Sequence, residues 1–356
     1  MNKNKTIWAA VQTDLLCFKM KFNIDILNTL LITASLVLAV IFPFELFLIV
    51  YAVLGPLHYL TEINWIRDKN YFIKDKKWFQ IVVISSLIVS LPMIIGIEFL
   101  DINNSSLFGF IKSTLPKYTN GFIFSSLVIA VSFLFIKVKK IQYLIIGIGL
   151  LLSFCFKDIE AYNIWIGIFL PTIIHVYLFT LLFMWHGSLK DKSKWAIYNV
   201  LYLALVPIII TLISIKIETY DFSPQIKSLI VDNRFHVLNT NISKLLGLSD
   251  GTTFFFYEIV DLKIQIMIAF AYTYHYLNWF SKTTVIGWHK NMNISKTVTI
   301  LIIWIIALLL YFYIYKLGLA LLLMMSLMHV FLEFPINLIS IKGIYQHYLK
   351  RNKKVN

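Results

Sequence analysis

The chain has 356 residues, 59% of them hydrophobic and only 14% charged, with a mean hydropathy of +0.78. That balance excludes a soluble globular domain and describes a polytopic membrane protein, a transmembrane helical bundle of the all-α class. The net charge of +14 does not point to nucleic acid, because 23 of the 32 Lys and Arg lie in one alternating set of short segments between apolar runs.

Residues 1–25 lack the apolar core of a cleavable secretory signal. Trp8, Val11, Leu15 and Phe18 instead recur at helical spacing among Lys3, Lys5, Lys19 and Lys21. The segment reads either as a cytoplasmic amphipathic helix on an anionic leaflet or as a basic lead-in to the first span. A single transmembrane domain over residues 26–349 follows, with about ten apolar runs of spanning length. They fall near residues 26–42, 45–66, 78–100, 119–137, 141–156, 161–186, 195–215, 254–281, 297–315 and 318–341. The fifth is the shortest. The eighth carries Glu258, Asp261 and Lys263 early, so its apolar core is expected from Ile264.

The basic segments put both termini in the cytoplasm, and even-numbered spans then run from outside to inside. A bacterial inner membrane fits this pattern. Residues 217–253 form the one sizeable external loop, with a short amphipathic helix expected around Lys227 to Leu246. Residues 350–356 are a basic cytoplasmic tail. Cys17 and Cys155 fall on opposite sides of the bilayer, so no disulfide is expected.

Five histidines occur on even-numbered spans: His58, His175, His186, His275 and His329. Glu62 stands four residues after His58, and Glu333 four after His329, so each pair shares a helix face. A carboxylate at bilayer depth costs roughly 2.5 to 3.5 kcal/mol without a partner. Counting back from the flanking basic residues places His58, His275 and Glu333 in one layer, roughly 10 to 14 Å below the inner boundary. His175 and His329 are expected deeper, with His186 near the surface, eleven residues or about three turns from His175. Three readings follow: a shared metal site, a proton or substrate relay, or unrelated structural polar groups. Asn278 is a candidate to hold a ligand ring or to bond across helices.

Imidazoles and carboxylates without thiolate suit iron, with zinc or manganese as alternatives. No H-E-x-x-H helix, phosphate-cradling loop or Gly-rich dinucleotide fingerprint occurs, and the three histidine boxes of membrane desaturases are missing. His289 sits on an inner loop, and His236 and His347 read as surface residues.

The stretch GPLHYLTE, with single histidines on later spans, resembles the Brp/Blh-type membrane β-carotene dioxygenases. Gly55, Pro56, Leu57 and His58 reorder that family's signature, Tyr59 replaces its second Gly, and Glu62 stands for its acidic residue. The family's pair of histidines one turn apart has no counterpart. The resemblance implies membrane histidines holding a non-haem Fe(II) that cleaves β-carotene with O₂ to give retinal. Only His58 carries over by motif; His175, His275 and His329 rest on depth. A lipid or isoprenoid substrate entering from surrounding membrane lipids follows from the setting. The alternative is a proton-coupled transporter with an intramembrane His/Glu relay.

Overall fold

The computed structural model of the protein describes residues 24–69, 76–95, 106–191, 193–283 and 287–355. The amphipathic lead-in, except for its last two residues, and Cys17 lie outside these. The described residues are helical throughout, with no strand among them. The first seven long helices are α1 (Ile24–Ile41), α2 (Pro43–Arg67), α3 (Lys77–Ile95), α4 (Leu115–Phe135), α5 (Lys139–Asp158), α6 (Glu160–Asp191) and α7 (Lys194–Leu212). Two short helices, α8 (Pro224–Asp232) and α9 (His236–Leu245), precede α10 (Ile259–Ser281), α11 (Ile294–Tyr313) and α12 (Tyr315–Val355).

Among the described residues, nine helices are long and apolar enough to cross a membrane: α1 to α7, α11 and α12. Helix α10, the eighth predicted span, has the length at 23 residues but not the hydropathy. Its position explains the difference. Sixteen of its side chains are buried, so α10 is solvated by other helices and its polar groups find protein partners. Gln265 Nε2 donates to Pro43 O (3.1 Å), and Asn239 Nδ2 donates to Asp261 O (2.7 Å). The expected start at Ile264 is therefore five residues late. Asp261 belongs to the first turn, where its Oδ2 accepts Phe255 N–H (2.7 Å) and its charge opposes the helix dipole.

Lipid-facing character runs the other way. Tyr143, Leu144 and Leu151 on α5, Leu201 and Leu212 on α7 and Ile302 and Leu309 on α11 are exposed. Such a continuous apolar surface suits hydrocarbon and not water, and it marks an integral membrane protein. Small residues bring the helices together: a Cβ on Gly149 would lie 2.4 Å from Val128 Cγ1, and one on Gly318 would lie 2.4 Å from the Tyr311 backbone.

Residues 217–253 hold two helices where one was expected. Ser223 caps α8 by accepting Ile226 N–H (3.3 Å), with Pro224 in the first turn. Arg234 then takes a left-handed φ of 58°, and Phe235 N–H reaches back to Ile230 O (3.0 Å), which closes the helix. The break turns Phe235 into the rings of Phe47 and Tyr51, at 5.3 and 5.7 Å. At the other end of the chain, α12 does not stop with its apolar run. It continues as helix to Val355 through the predicted basic tail.

Three of the helices that carry the predicted site are irregular next to it. Helix α2 contains a π-helical turn, Val50–Leu54, just before His58, with Pro56 between them. Helix α6 is π-helical over Asn163–Phe179 and kinked at Thr172 (φ −115°, ψ −106°) after Pro171, three residues before His175. Helix α12 has Pro335 two residues after Glu333. Proline deletes one backbone donor, and a π turn adds a residue to the circuit, so each break re-aims the side chains that follow it.

Candidate metal centre

The redirected helices bring His58, His175, His275 and His329 together in a closed ring. Centroid separations are 4.8 Å for His58–His275, 5.0 Å for His275–His175, 4.8 Å for His175–His329 and 5.2 Å for His329–His58. All four are buried. The predicted difference in depth disappears: His175 Nε2 lies 2.9 Å from His329 Nε2, and both rings neighbour those expected in the shallower layer. Depth counted along a straight helix does not survive the kink at Thr172 and the π turns.

Three of the imidazoles have one nitrogen near a hydroxyl or a carboxylate, and those partners differ. Thr180 donates its hydroxyl to Val176 O in its own helix (2.9 Å) and so accepts Nδ1–H of His275 (2.8 Å). This assigns the tautomer of His275 and leaves a lone pair on Nε2, which has no hydrogen-bond partner. His175 Nδ1 lies 3.1 Å from Glu333 Oε2, and His58 Nε2 lies 3.2 Å from Glu62 Oε2. His329 Nδ1 has no hydrogen-bond partner among the described residues.

One donor atom each from His58, His275 and His329 lies within 4.8 Å of the others, and so does one each from His175, His329 and Glu333. A metal bound at about 2.1 Å from each nitrogen needs donors about 3 to 4 Å apart, within reach of small ring rotations. The electrostatics fit as well. The carboxylate of Glu62 is buried and that of Glu333 half-buried, each beside an imidazole nitrogen, and His58 Nδ1 and His275 Nε2 have no hydrogen-bond partner among the described residues. Carboxylates withdrawn from water are costly without a countercharge, and a divalent cation supplies one.

Glu62 and Glu333 thus stand as ring-orienting groups, with Glu333 also at ligand distance. Asn278 does not reach the histidines. It accepts a long hydrogen bond from Tyr274 (3.5 Å) and lines the neighbouring cavity. His186 is not brought to the centre: it is half-buried, and its ring covers Gly343 at the far end of α12. Eleven residues along a helix is roughly 16 Å, too far for one coordination sphere, and the π-helical stretch breaks the periodicity that put it on the face of His175. His236 lies within residues 217–253 with Nδ1 facing Ile230 O (3.4 Å), while His289 and His347 are exposed.

Aromatic rings complete the surroundings. Tyr59 stacks on His329 (4.3 Å, 22°), and its hydroxyl bonds that of Tyr276 (2.7 Å), which sits beside His58. Gly55 makes room for that pair, since a Cβ there would lie 3.1 Å from the Tyr59 hydroxyl. Trp279 packs against His58 (5.6 Å) and donates Nε1–H to Thr61 (3.0 Å). Of these, Gly55 and Tyr59 appeared in the sequence only as part of the GPLHYLTE stretch, and Tyr276 and Trp279 were not singled out. The spacing of Trp279 four residues after His275 was the one available signal.

A cavity of about 40 Å³ adjoins the histidines. Its walls are His58, Glu62 and Trp65 of α2, Thr180 and Phe183 of α6, His275 and Asn278 of α10 with Lys282 beyond it, and Glu333 and Ile336 of α12. In every case the wall continues toward the C-terminal end of the helix. The four helices therefore run parallel. The volume suits roughly three water molecules.

No protein-family model, curated protein or solved structure matches this chain.

Proposed function

We propose that the protein is an integral-membrane metalloenzyme, an oxygenase of the non-haem iron type acting on a lipid or isoprenoid taken from the bilayer. One observation carries this reading: four buried imidazoles from four helices converge, with donor atoms of His58, His275 and His329 within 4.8 Å of one another and a hydroxyl or carboxylate beside the rings of His275, His58 and His175. Iron(II) suits nitrogen donors that leave coordination positions open; zinc and manganese are the other ions this donor set accepts. The bound ion would supply O₂ activation.

The chain's own contribution is positional. Thr180, Glu333 and Glu62 fix the rings, and Tyr59, Tyr276 and Trp279 exclude bulk water. The small cavity suits O₂ and water, and the hydrophobic substrate reaches the centre sideways, between helices. Within this reading the sequence likeness at Gly55–Glu62 favours oxidative cleavage of a carotenoid to retinal. We also place both termini on the cytoplasmic side of a bacterial inner membrane, with ten spans.

The pairs His58–Glu62 and His175–Glu333 favour a second reading, a proton relay in a transporter. Metal analysis separates the two. Purified wild type is expected to hold close to one equivalent of metal per chain, and His58→Ala to hold almost none. A metal-free wild type of unchanged stability that moves protons across vesicle membranes would establish the relay in its place.

A further inference from the structure

The cavity wall carries a feature that neither metal binding nor water exclusion requires. From the ligand ring of His58, two indoles lead away in succession: Trp279 at 5.6 Å from His58, and Trp65 at 5.6 Å from Trp279, both edge-on. Together with Ile336 they form a small core cluster of their own, separate from the two larger ones. Trp65 is two residues from exposed Arg67. Lys282 lines the same cavity, and the loop bearing exposed Lys290 touches Asn64 through Met292 (Asn64 Nδ2 to Sδ, 3.4 Å). The indole pair thus spans from a metal ligand to a basic face.

Indole is among the most easily oxidised side chains, and van der Waals contact between rings lets electrons pass quickly. Apolar packing alone is satisfied as well by Leu or Phe. We propose that Trp279 and Trp65 form an electron path from the basic face to the metal centre, by which an anionic one-electron donor returns the oxidised ion to its lower state. This rests on the metalloenzyme reading and adds a redox-active ion and the class of its reductant.

The step balances without bond changes. One electron leaves Trp279 for the oxidised ion, Trp65 refills Trp279, and the donor, itself oxidised by one electron, refills Trp65. No proton moves: Trp279 Nε1–H stays on Thr61 Oγ1, whose own hydroxyl turns back to the carbonyls of Leu57 and His58 (2.8 and 3.0 Å). The positive charges of Arg67, Lys282 and Lys290 steer a negatively charged donor and disfavour a cationic one.

The test follows re-reduction of the oxidised, metal-loaded protein by ascorbate, observed through the optical or EPR signal of the ion, in detergent. Metal content is measured on every sample. Trp65→Phe and Trp279→Phe keep an apolar ring that is much harder to oxidise. Each is expected to retain its metal and to slow re-reduction at least tenfold, and added salt is expected to slow the wild type. Should Trp279→Phe lose metal because it touches a ligand ring, Trp65→Phe decides, since it lies one ring further out. Wild-type rates in a metal-replete Trp65→Phe variant overturn the path and leave the metal site standing, as does a centre holding redox-inert zinc. A wild type without metal overturns both.

Discussion

Replacing Thr180 by Val probes the centre without touching a ligand. The two side chains have nearly the same shape, and Thr180 is buried, so packing is conserved while the acceptor for His275 Nδ1–H disappears. The other hydrogen bond lost, to Val176 O, lies within α6 and is worth little. Left unpaired, a buried ring N–H costs about 1 to 3 kcal/mol. The metal-free protein escapes that cost by moving the proton to Nε2, but Nε2 is the nitrogen the metal needs. The cost therefore falls on binding. Loss of one such partner weakens metal affinity by about 10- to 100-fold, or about 1.4 to 2.7 kcal/mol. Competition against a chromophoric chelator on detergent-solubilised protein measures it, with Thr299→Val as control, since Thr299 is an exposed helical threonine bonded only to Ser295 O (2.9 Å). The expected pattern is a metal-free melting temperature near wild type and a smaller rise on adding metal. Wild-type affinity in Thr180→Val, alongside metal loss in His275→Ala, would refute the assignment of the His275 tautomer.

Three further outcomes are expected. Gly318→Ala places a methyl 2.4 Å from the Tyr311 backbone, so the α11–α12 turn must open; we expect a loss of at least 1 to 3 kcal/mol, read as lower thermal stability and reduced yield. Cys155 is exposed at the end of α5. In a Cys17→Ser background a membrane-impermeant maleimide should label it in spheroplasts, and labelling only after lysis would reverse the proposed orientation. Expression in a β-carotene-producing host is expected to bleach the colour and release retinal; persistent colour with a metal-loaded protein would leave an oxidase of another hydrophobic substrate.

Much of the bundle is legible because lipid enforces it. Every apolar run of spanning length became a helix, since a backbone in hydrocarbon has no other outlet for its polar groups. The four central histidines were legible for a related reason. An imidazole is conspicuous in an apolar helix, and His58, His175, His275 and His329 each fell on an even-numbered expected span, which gave them an expected common direction. What the chain did not reveal depends on helix phase. Counting at 1.5 Å per residue set His175 and His329 below His58, and a regular period put His186 behind His175, yet Pro171 and the π-helical stretch of α6 cancel both inferences. Thr180 was invisible for a different reason. Its importance comes from His275, ninety-five residues away, and threonine in an apolar helix is ordinary. Asn278 is the converse, a polar residue one turn from a site histidine that turns to Tyr274 instead.

The π turn at Val50–Leu54 gives the chain a local tolerance in length. The turn holds one residue more than an α-helical turn, so excising one residue there closes an ordinary α-helix and leaves His58, Glu62 and Trp65 facing nearly as before. The regular stretch that follows has no such reserve: excising one residue between His58 and Glu62 turns the carboxylate about 100° away from the ring. A one-codon deletion inside the turn should therefore spare the centre, whereas the same deletion between His58 and Glu62 should dismantle it without removing a ligand.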